Sequence, residues 1–383
     1  MKSYTFSFLI LLSLVLLSCG NPKGNALHSY ISRDSLSIVT EHIQVPSTEV
    51  LELKSYYITS LVDFDSISGI MAYNYRLHSL DIINLKGECR ISSIPLQREG
   101  PDGIPGRVCG ICPVSRDSIW VYDGIAMYLL DSMGKIRDNI SFENNKNIVI
   151  NTNYAMCTAR FFYNKEHASL LYLVDRGSFI IEEYDIRKRC VLKSYPLSNS
   201  VVNPKRELIY GDMDIPNITF TEDEVVYNYP YESRIYLLDM NTGEHSVVET
   251  ESLYTPNVAH DCLSNGYSAW EKHRIENIHF FDVMYLPKIQ AFVRLHTSGV
   301  TFDSTQPVLS LLDSKNLYMS VFDKDFQFMG EVKLSDKKYN LFTGWCALED
   351  ALLLFDDNSL ADSIDYERLS MDIITPVFAD GQH

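Results

Sequence analysis

A strand-turn-strand pattern is clearest in Ile235-Tyr236-Leu237-Leu238-Asp239, which continues through Asn241-Thr242-Gly243-Glu244 to Val247-Val248. Both flanking runs are apolar, as strands packed in a core require. Aspartate is suited to start a tight turn because its carboxylate accepts backbone N–H groups, and glycine adopts a positive φ at no steric cost. The segment therefore predicts a β-hairpin in which Asp239 starts the turn and Gly243 takes the positive-φ position.

The same hairpin pattern recurs along the chain. Its other copies span residues 79–94, 128–136, 181–192 and 319–334. The corresponding aspartates lie 50, 54, 54 and 84 residues apart, and they are Asp81, Asp131, Asp185, Asp239 and Asp323. A period near 50 residues built of short strands is typical of propeller blades, each a sheet that buries its faces only against its neighbours.

The remaining strand-like runs complete a ring of blades. Residues 118–122, 169–174, 224–227 and 290–295 precede the hairpins, and residues 351–355 with 370–374 look like a sixth blade. We expect a strand within residues 35–53 to close that last blade. The long interval before Asp323 predicts an insertion near residues 257–277, the best candidate for a lid or ligand loop. The sequence thus predicts an all-β propeller of six four-stranded antiparallel blades. Seven blades, with one hidden in the insertion, and a two-sheet sandwich remain alternatives.

The N-terminus has the three parts of an export signal: Lys2, an apolar run over residues 6–17 and the small Ser18. The run is too short to span a bilayer. Leu16-Leu17-Ser18-Cys19 resembles the lipobox of bacterial lipoproteins, which implies cleavage before Cys19 and a diacylglycerol thioether with an added acyl chain such as palmitate. An ordinary secretory signal is the alternative. The predicted organisation is a signal peptide over residues 1–18, a lipidated tether over 19–33 and a propeller over 34–383. No aspartate follows Cys19, so we expect an outer-membrane anchor, with its membrane face left open.

The composition of the chain limits the classes of molecule that it is expected to bind. A formal net charge of −17 disfavours nucleic acid, since phosphate binding needs clustered Lys and Arg. With 46% hydrophobic residues, 24 Tyr and 18 Phe, the chain has enough apolar surface for a large core. The expected partners are the membrane, through Cys19, and a glycan or an envelope protein.

Cysteine usage argues against a disulfide framework. Seven cysteines remain after Cys19. Because seven is odd, at least one thiol in each molecule is either free or joined to another molecule. A redox pair or half a zinc site is one interpretation of Cys109-Gly110-Ile111-Cys112, but no second ligand pair follows and the motif precedes a strand rather than opening a helix. Small buried cysteines are the favoured interpretation. No metal site or cofactor is predicted.

Six side chains are candidate ligand-binding residues. The turn-rich loop 98–107 offers Arg98, Asp102 and Arg107 to a carboxylate or a sugar, although mutual pairing in an interblade connection is the favoured alternative. Arg294 and His296 alternate along one strand and share a face, which either lines the channel or packs in the core. Trp270, in the insertion, is suited to stacking on a sugar or peptide, or to packing on the ring.

Three segments carry a resemblance to a known family, and they are Leu96–Ile104, residues 117–121 and residues 281–296. In these segments the sequence resembles the uncharacterised lipoproteins of Bacteroidetes that carry a six-bladed propeller-like domain of unknown function, of the DUF4221 type. The resemblance implies a lipid-anchored propeller and brings no known reaction. The chain has neither GxSxG nor HExxH. We therefore expect an envelope binding module that presents a propeller face to a glycan, peptide or protein. A polysaccharide hydrolase or lyase with carboxylates in the channel, and a structural subunit of an envelope complex, are the alternatives.

Overall fold

The chain folds almost entirely into β-strands. A computed structural model describes residues 36–46, 53, 55–64, 67–86, 90–142, 148–151, 158–221, 223–340, 344–361 and 367–378. Cys19, with the predicted signal peptide and tether, lies outside the described residues, so its lipidation and the predicted domain limits remain predictions. No helix within the described ranges is long and apolar enough to cross a membrane.

The strands form six four-stranded antiparallel sheets in the described part of the chain, one for each predicted blade. Blade 1 contains β2 (Thr59–Phe64), β3 (Ile67–Asn74), β4 (Ser79–Asn84) and β5 (Arg90–Pro95), and blade 2 contains β6 (Gly110–Ser115), β7 (Ser118–Tyr122), β8 (Ala126–Leu130) and β9 (Ile136–Ser141). Blade 3 contains β10 (Phe161–Asn164), β11 (Ser169–Asp175), β12 (Phe179–Asp185) and β13 (Cys190–Pro196).

The second half of the chain repeats the arrangement. Blade 4 contains β14 (Asn217–Phe220), β15 (Glu224–Asn228), β16 (Ile235–Asp239) and β17 (His245–Val248), and blade 5 contains β18 (His279–Leu286), β19 (Ala291–Thr297), β20 (Leu317–Asp323) and β21 (Phe328–Lys333). Blade 6 contains β22 (Cys346–Ala347), β23 (Leu352–Phe355), β24 (Arg368–Phe378) and β1 (Leu36–Pro46). The connections hold a 3-10 helix (Gly211–Asp214) and two α-helices, α1 (Tyr267–Glu276) and α2 (Val308–Asp313). The prediction of six four-stranded blades is confirmed.

The N-terminal strand closes the ring, as predicted. Strand β1 pairs antiparallel with β24 from Leu36 opposite Phe378 to Pro46 opposite Arg368. The last blade therefore takes its outermost strand from the opposite end of the chain. This pairing joins the two ends of the fold without a covalent bond.

Both faces of a blade are buried, which explains the continuous apolar runs. In β11, Leu170, Tyr172 and Val174 pack toward blade 2, whereas Leu171 and Leu173 pack toward blade 4. Successive side chains of a strand point to opposite faces, so one run of apolar residues supplies two interblade cores.

The aspartates start the third turn of most blades. One carboxylate oxygen accepts two backbone N–H groups of the turn, at 2.8 to 3.0 Å, in each of Asp131, Asp185, Asp239 and Asp323. These bonds hold the pKa of Asp131, Asp185 and Asp239 below its usual range. Glycine takes the positive φ at Gly134 and Gly243, but Arg189 and Phe326 take it in blades 3 and 5.

The assignment of Asp81 to a turn is wrong. Its side chain is buried within β4 and accepts hydrogen bonds from Tyr56 Oη at 2.8 Å and from Asn74 Nδ2 at 3.0 Å. In blade 1 the turn position belongs to Asn84, whose side-chain oxygen accepts the Lys86 N–H at 3.2 Å. The sequence pattern does not show whether this hairpin strand ends at Asp81 or at Asn84. The structure shows that β4 ends at Asn84.

The 84-residue interval between Asp239 and Asp323 is long because two connections in it are long. Residues 249–278 connect blades 4 and 5 and carry α1, which matches the predicted insertion near residues 257–277. Residues 298–316, between β19 and β20, carry α2 and were not predicted as an insertion. The two segments contact each other through α1 and α2, so they form one thickened sector of the ring.

Candidate functional site

The two ends of the ring carry very different connections. Antiparallel pairing places the links between the second and third strands of a blade, and the links between successive blades, at one end. We call that end the connector face; its described segments include residues 75–78, 96–109, 123–125, 176–178, 197–216, 229–234, 249–278 and 298–316. At the opposite end, the turn face, the described links are short turns, such as residues 131–135, 240–244 and 324–327.

Exposed apolar side chains are concentrated on the connector face. Among the large exposed hydrophobic residues of described loops and helices, the turn face has Met133 alone. All the others belong to the connector face: Leu77, Ile125, Val201, Leu208, Leu253, Tyr254, Val258, Leu263, Tyr267 and Leu309. Leu263 is 94% exposed and Tyr267 is 77% exposed, the two largest exposures among the large hydrophobic side chains of the described residues.

The most apolar part of this face is held rigidly on blades 4 and 5. The N–H of Cys262 donates to the carbonyl of Ile209 at 2.6 Å, which joins the connection after blade 3 to the one after blade 4. The Arg274 guanidinium pairs with Asp212 at 3.0 Å. The Lys315 ammonium donates to the carbonyls of Arg274 and Asn277, at 2.7 and 2.8 Å, at the C-terminal end of α1. Leu263 and Tyr267 are therefore presented by an anchored segment.

A groove of about 510 Å³ runs beside this segment. Its lining residues are Tyr254, Thr255, Pro256, Glu276, Ser298, Gly299, Val300 and Thr301. The Tyr254 ring stacks on the buried Tyr318 ring, with centroids 5.2 Å apart, so its orientation is fixed while its other side stays open.

The central channel contains a second, smaller cavity. It measures about 240 Å³, and the first strands of all six blades, or the residues just before them, contribute to its wall. Across it the Arg160 guanidinium, which precedes β10, meets the Asp282 carboxylate of β18 at 2.7 Å. Phe162 and Phe220 stack beside the pair with centroids 6.0 Å apart.

The described lining of the channel cavity holds no catalytic carboxylate pair. Among the described residues that line the cavity, Asp282 is the only acid, and it is paired with Arg160. Glycoside hydrolysis needs two carboxyl groups about 5–10 Å apart. The Cys346 thiol also lines the cavity, but burial raises its pKa to about 12, so it stays protonated and weakly nucleophilic.

The predicted loop residues belong to the connection between blades 1 and 2, which starts and ends on the connector face and reaches the turn-face end of β9 through Asp102. Arg98 and Arg107 are exposed, and the Arg107 guanidinium lies 5.5 Å from the centre of the Tyr75 ring. The Asp102 carboxylate accepts the backbone N–H of Ile136 at 3.0 Å and so fixes the loop to blade 2. The three side chains are not paired with one another, and ligand binding by them remains a prediction.

Arg294 and His296 share a face, as predicted, but that face is the core between blades 4 and 5 rather than the channel. Both side chains are fully buried. The Arg294 guanidinium donates to the carbonyl of Ser233 and lies 4.5 Å from the centre of the Phe280 ring. The His296 imidazole meets Glu331 at 2.8 Å. Burial lowers the pKa of His296 in spite of that carboxylate, and lowers the pKa of Arg294 to about 9.

Trp270 packs on the ring. Its indole lies against the backbone of Gly211, where a Cβ would come within 2.9 Å of the ring, and the residue is only half-exposed. Tyr254 and Tyr267 are the exposed aromatic residues of the same connection, and both were missed in the sequence. Arg160 and Asp282 were missed as well, because nothing in the sequence shows that two residues so far apart face one channel.

The described cysteines and acids bear on the predictions for the CxxC motif and for metal binding. Within the described ranges no three His, Cys, Asp or Glu side chains are grouped to hold a metal ion. Cys109 and Cys112 lie at the start of β6, and Cys109 is buried, as the favoured interpretation expected.

Comparison with known proteins identifies relatives without assigning a role. Residues 35–333 match the family model described as a domain of unknown function, DUF4221. A DUF4221 member from Bacteroides vulgatus has a similar structure, with a TM-score of 0.74, 16% identity and coverage of 91% of this chain and 100% of that one. A proposed exported protein from Bacteroides fragilis has a TM-score of 0.51, 10% identity and coverage of 89% and 96%. No curated protein matches the sequence.

Proposed function

This chain belongs to the DUF4221 family, and we propose that it is an envelope binding module that uses the connector face of its propeller to bind a protein partner. The observation that carries the proposal is the one-sided distribution of exposed apolar side chains. Leu263 and Tyr267 project from a segment anchored to the ring, and the turn face has no comparable cluster among its described residues. Large exposed apolar patches rimmed by polar residues mark interaction sites.

The mixture of side chains favours a protein over a glycan. Sugar recognition relies on flat aromatic rings with polar groups around them, whereas the connector face combines Tyr254 and Tyr267 with Leu253, Leu263 and Leu309. Tyrosine is enriched at protein interfaces, and aliphatic side chains complete their dry centres. A hydrolase is not favoured, because the described channel wall supplies one carboxylate where two are needed.

We also propose that lipid on Cys19 holds the protein at the outer membrane. Strand β1 begins at Leu36, beside the end of β24 and remote from the end of the ring where the first strands start. A tether that enters there leaves the connector face accessible to partners. Because one acyl chain binds membranes only marginally, a multiply acylated cysteine is what would make the attachment stable.

The interaction is tested by cross-linking in cells of the native bacterium, followed by purification of the full chain and quantitative mass spectrometry. The Leu263→Ser/Tyr267→Ser variant removes the two most exposed apolar side chains, and Met133→Ser is the matched control on the turn face. We expect a stoichiometric partner protein that the double variant loses by roughly tenfold or more, since central interface residues contribute about 1–2 kcal/mol each. A protein set that is identical for both variants, or recovery of glycan alone, would contradict the proposal.

The anchor is tested separately by Cys19→Ser. We expect the wild-type chain to incorporate labelled palmitate and to sediment with outer membranes, and the variant to do neither. Membrane association of an unlabelled Cys19→Ser chain equal to that of the wild type would rule out lipidation as the cause.

A further inference from the structure

The channel cavity has the features of a site for a small molecule, independently of any partner on the connector face. It is half-open, measures about 240 Å³ and is lined by the first strands of all six blades. That volume corresponds to roughly eight water molecules at about 30 Å³ each. It lies below the roughly 300–1,000 Å³ of pockets for drug-sized ligands, so a peptide or an oligosaccharide does not fit.

A pair of opposite charges crosses the cavity. The side chain of Arg160 keeps 34% of its surface exposed, while that of Asp282 keeps 5%, and their closest atoms lie 2.7 Å apart. The pair has no net charge. A simple anion attracted by the guanidinium is therefore repelled by the adjacent carboxylate, and a simple cation meets the reverse.

A residue with a buried hydroxyl belongs to the same wall of the cavity. Thr158 is 3% exposed, lines the cavity and has no hydrogen-bond partner for its Oγ1 within the described structure. A buried hydroxyl without a partner is costly and calls for an explanation such as a ligand. Thr158 lies two residues before Arg160, so one segment brings both groups to the cavity.

The rest of the cavity wall includes apolar and aromatic side chains. Phe162 and Phe220 stack there, and Leu61 and Met284 extend the apolar surface. A ligand that is complementary to both the charged and the apolar residues of the cavity thus carries a positive and a negative group side by side, together with a small apolar portion.

We propose that the channel binds a small zwitterion with an apolar side chain, of the size and kind of a free α-amino acid. Its carboxylate takes the Arg160 guanidinium and the Thr158 hydroxyl, and its ammonium takes the Asp282 carboxylate. Guanidinium groups match carboxylates in geometry and charge, so the direct pair between Arg160 and Asp282 is exchanged for two pairs with the ligand. The net charge of the site stays zero in both states.

The proposal is tested by calorimetric titration of the full chain in detergent with each of the twenty standard L-amino acids. For leucine the matched analogues are 4-methylpentanoate, which lacks the ammonium, and 3-methylbutylamine, which lacks the carboxylate; equivalent analogues are used for the tightest binder. We expect at least one apolar amino acid to bind, and each analogue to bind tenfold or more weakly.

Variants separate binding from folding. Thr158→Val removes a hydroxyl that has no internal partner, so the unfolding temperature without ligand should be unchanged or higher while affinity falls roughly tenfold. The paired Arg160→Gln/Asp282→Asn variant keeps a neutral hydrogen-bonding pair and should abolish binding. Its control is Arg189→Gln/Asp138→Asn, a surface pair that joins blades 2 and 3 and should leave binding unchanged.

Three results would overturn the proposal. They are the absence of binding by any amino acid at about 10 mM, equal binding of an analogue that lacks one charge, and wild-type affinity in both Thr158→Val and the paired channel variant. None of these results bears on the connector face, which is tested by its own variants.

Discussion

At the residue scale, the sequence predicts which side chains share a face but not which face it is. The alternation of Arg294 and His296 correctly places both on one side of β19. That strand is the second of its blade, so its faces pack against neighbouring blades, whereas only first strands line the channel. The sequence left a channel location and a core location open, because alternation carries no information about a strand's distance from the axis.

The buried His296 predicts sensitivity of the fold to acid. Its pKa is lowered in the folded state, so the unfolded chain binds the proton more readily and stability falls as the pH drops below about 6.5. Replacing it by glutamine, which still donates to Glu331, should reduce the loss of unfolding free energy between about pH 7.5 and 5.5, by up to about 1 kcal/mol. The measurement is urea denaturation at each pH.

The matched control for this prediction is His245→Gln, at an exposed position of β17. It should leave the pH dependence as in the wild type. The Glu331 carboxylate, whose pKa is also lowered, titrates below this window and adds its own loss only at more acidic pH. An unchanged pH dependence in His296→Gln would show that the imidazole is not held neutral.

At the element scale, the hairpins were predictable because their chemistry is local. The carboxylates of four of the five repeated aspartates accept N–H groups two to four residues ahead, a contact that the sequence spacing encodes directly. Asp81 is the exception, since its partners Tyr56 and Asn74 come from other elements. Tertiary contacts of that kind leave no mark in a local pattern.

The turn hydrogen bonds predict that replacing Asp323 and replacing Asp325 by alanine will have different effects on the stability of the fold. The Asp323 carboxylate accepts the N–H groups of Asp325 and Gln327, at 2.9 and 2.8 Å, so Asp323→Ala should cost about 1 kcal/mol. Asp323→Asn keeps the acceptor and should cost less. Asp325→Ala, which removes only an exposed pair with Lys324, should change stability little. Denaturant midpoints compare the three, and equal losses in all of them would contradict the assigned role of Asp323.

Strand β1 offers a test of ring closure. Val45 is 1% exposed and packs with Leu353 and Met371, whereas Val39 on the same strand is 59% exposed. Val45→Asp buries an unpaired charge and should destabilise the fold by about 3 kcal/mol or more, while Val39→Asp should change it by less than about 0.5 kcal/mol. Thermal unfolding distinguishes the two variants. A similar effect of both would mean that β1 does not close the sixth blade.

At the scale of the whole molecule, the architecture was predictable and the candidate site was not. Repeated hairpins specify the blade, and a closed ring lets every blade bury both of its faces against neighbours. The pairing of Arg160 with Asp282 joins blades 3 and 5, and it exists only because the ring brings them to one axis. The connector face is likewise a product of strand direction, which gathers Leu77, Tyr254 and Tyr267 from distant segments at one end.

The most direct test of the binding role is site-specific photocross-linking in intact cells of the native bacterium. A photoreactive phenylalanine analogue replaces Tyr254 on the connector face in one strain and Met133 on the turn face in another. The account predicts a discrete cross-linked protein adduct from position 254 and none from position 133. Adducts of equal yield from both positions, or an adduct from position 133 alone, would contradict it.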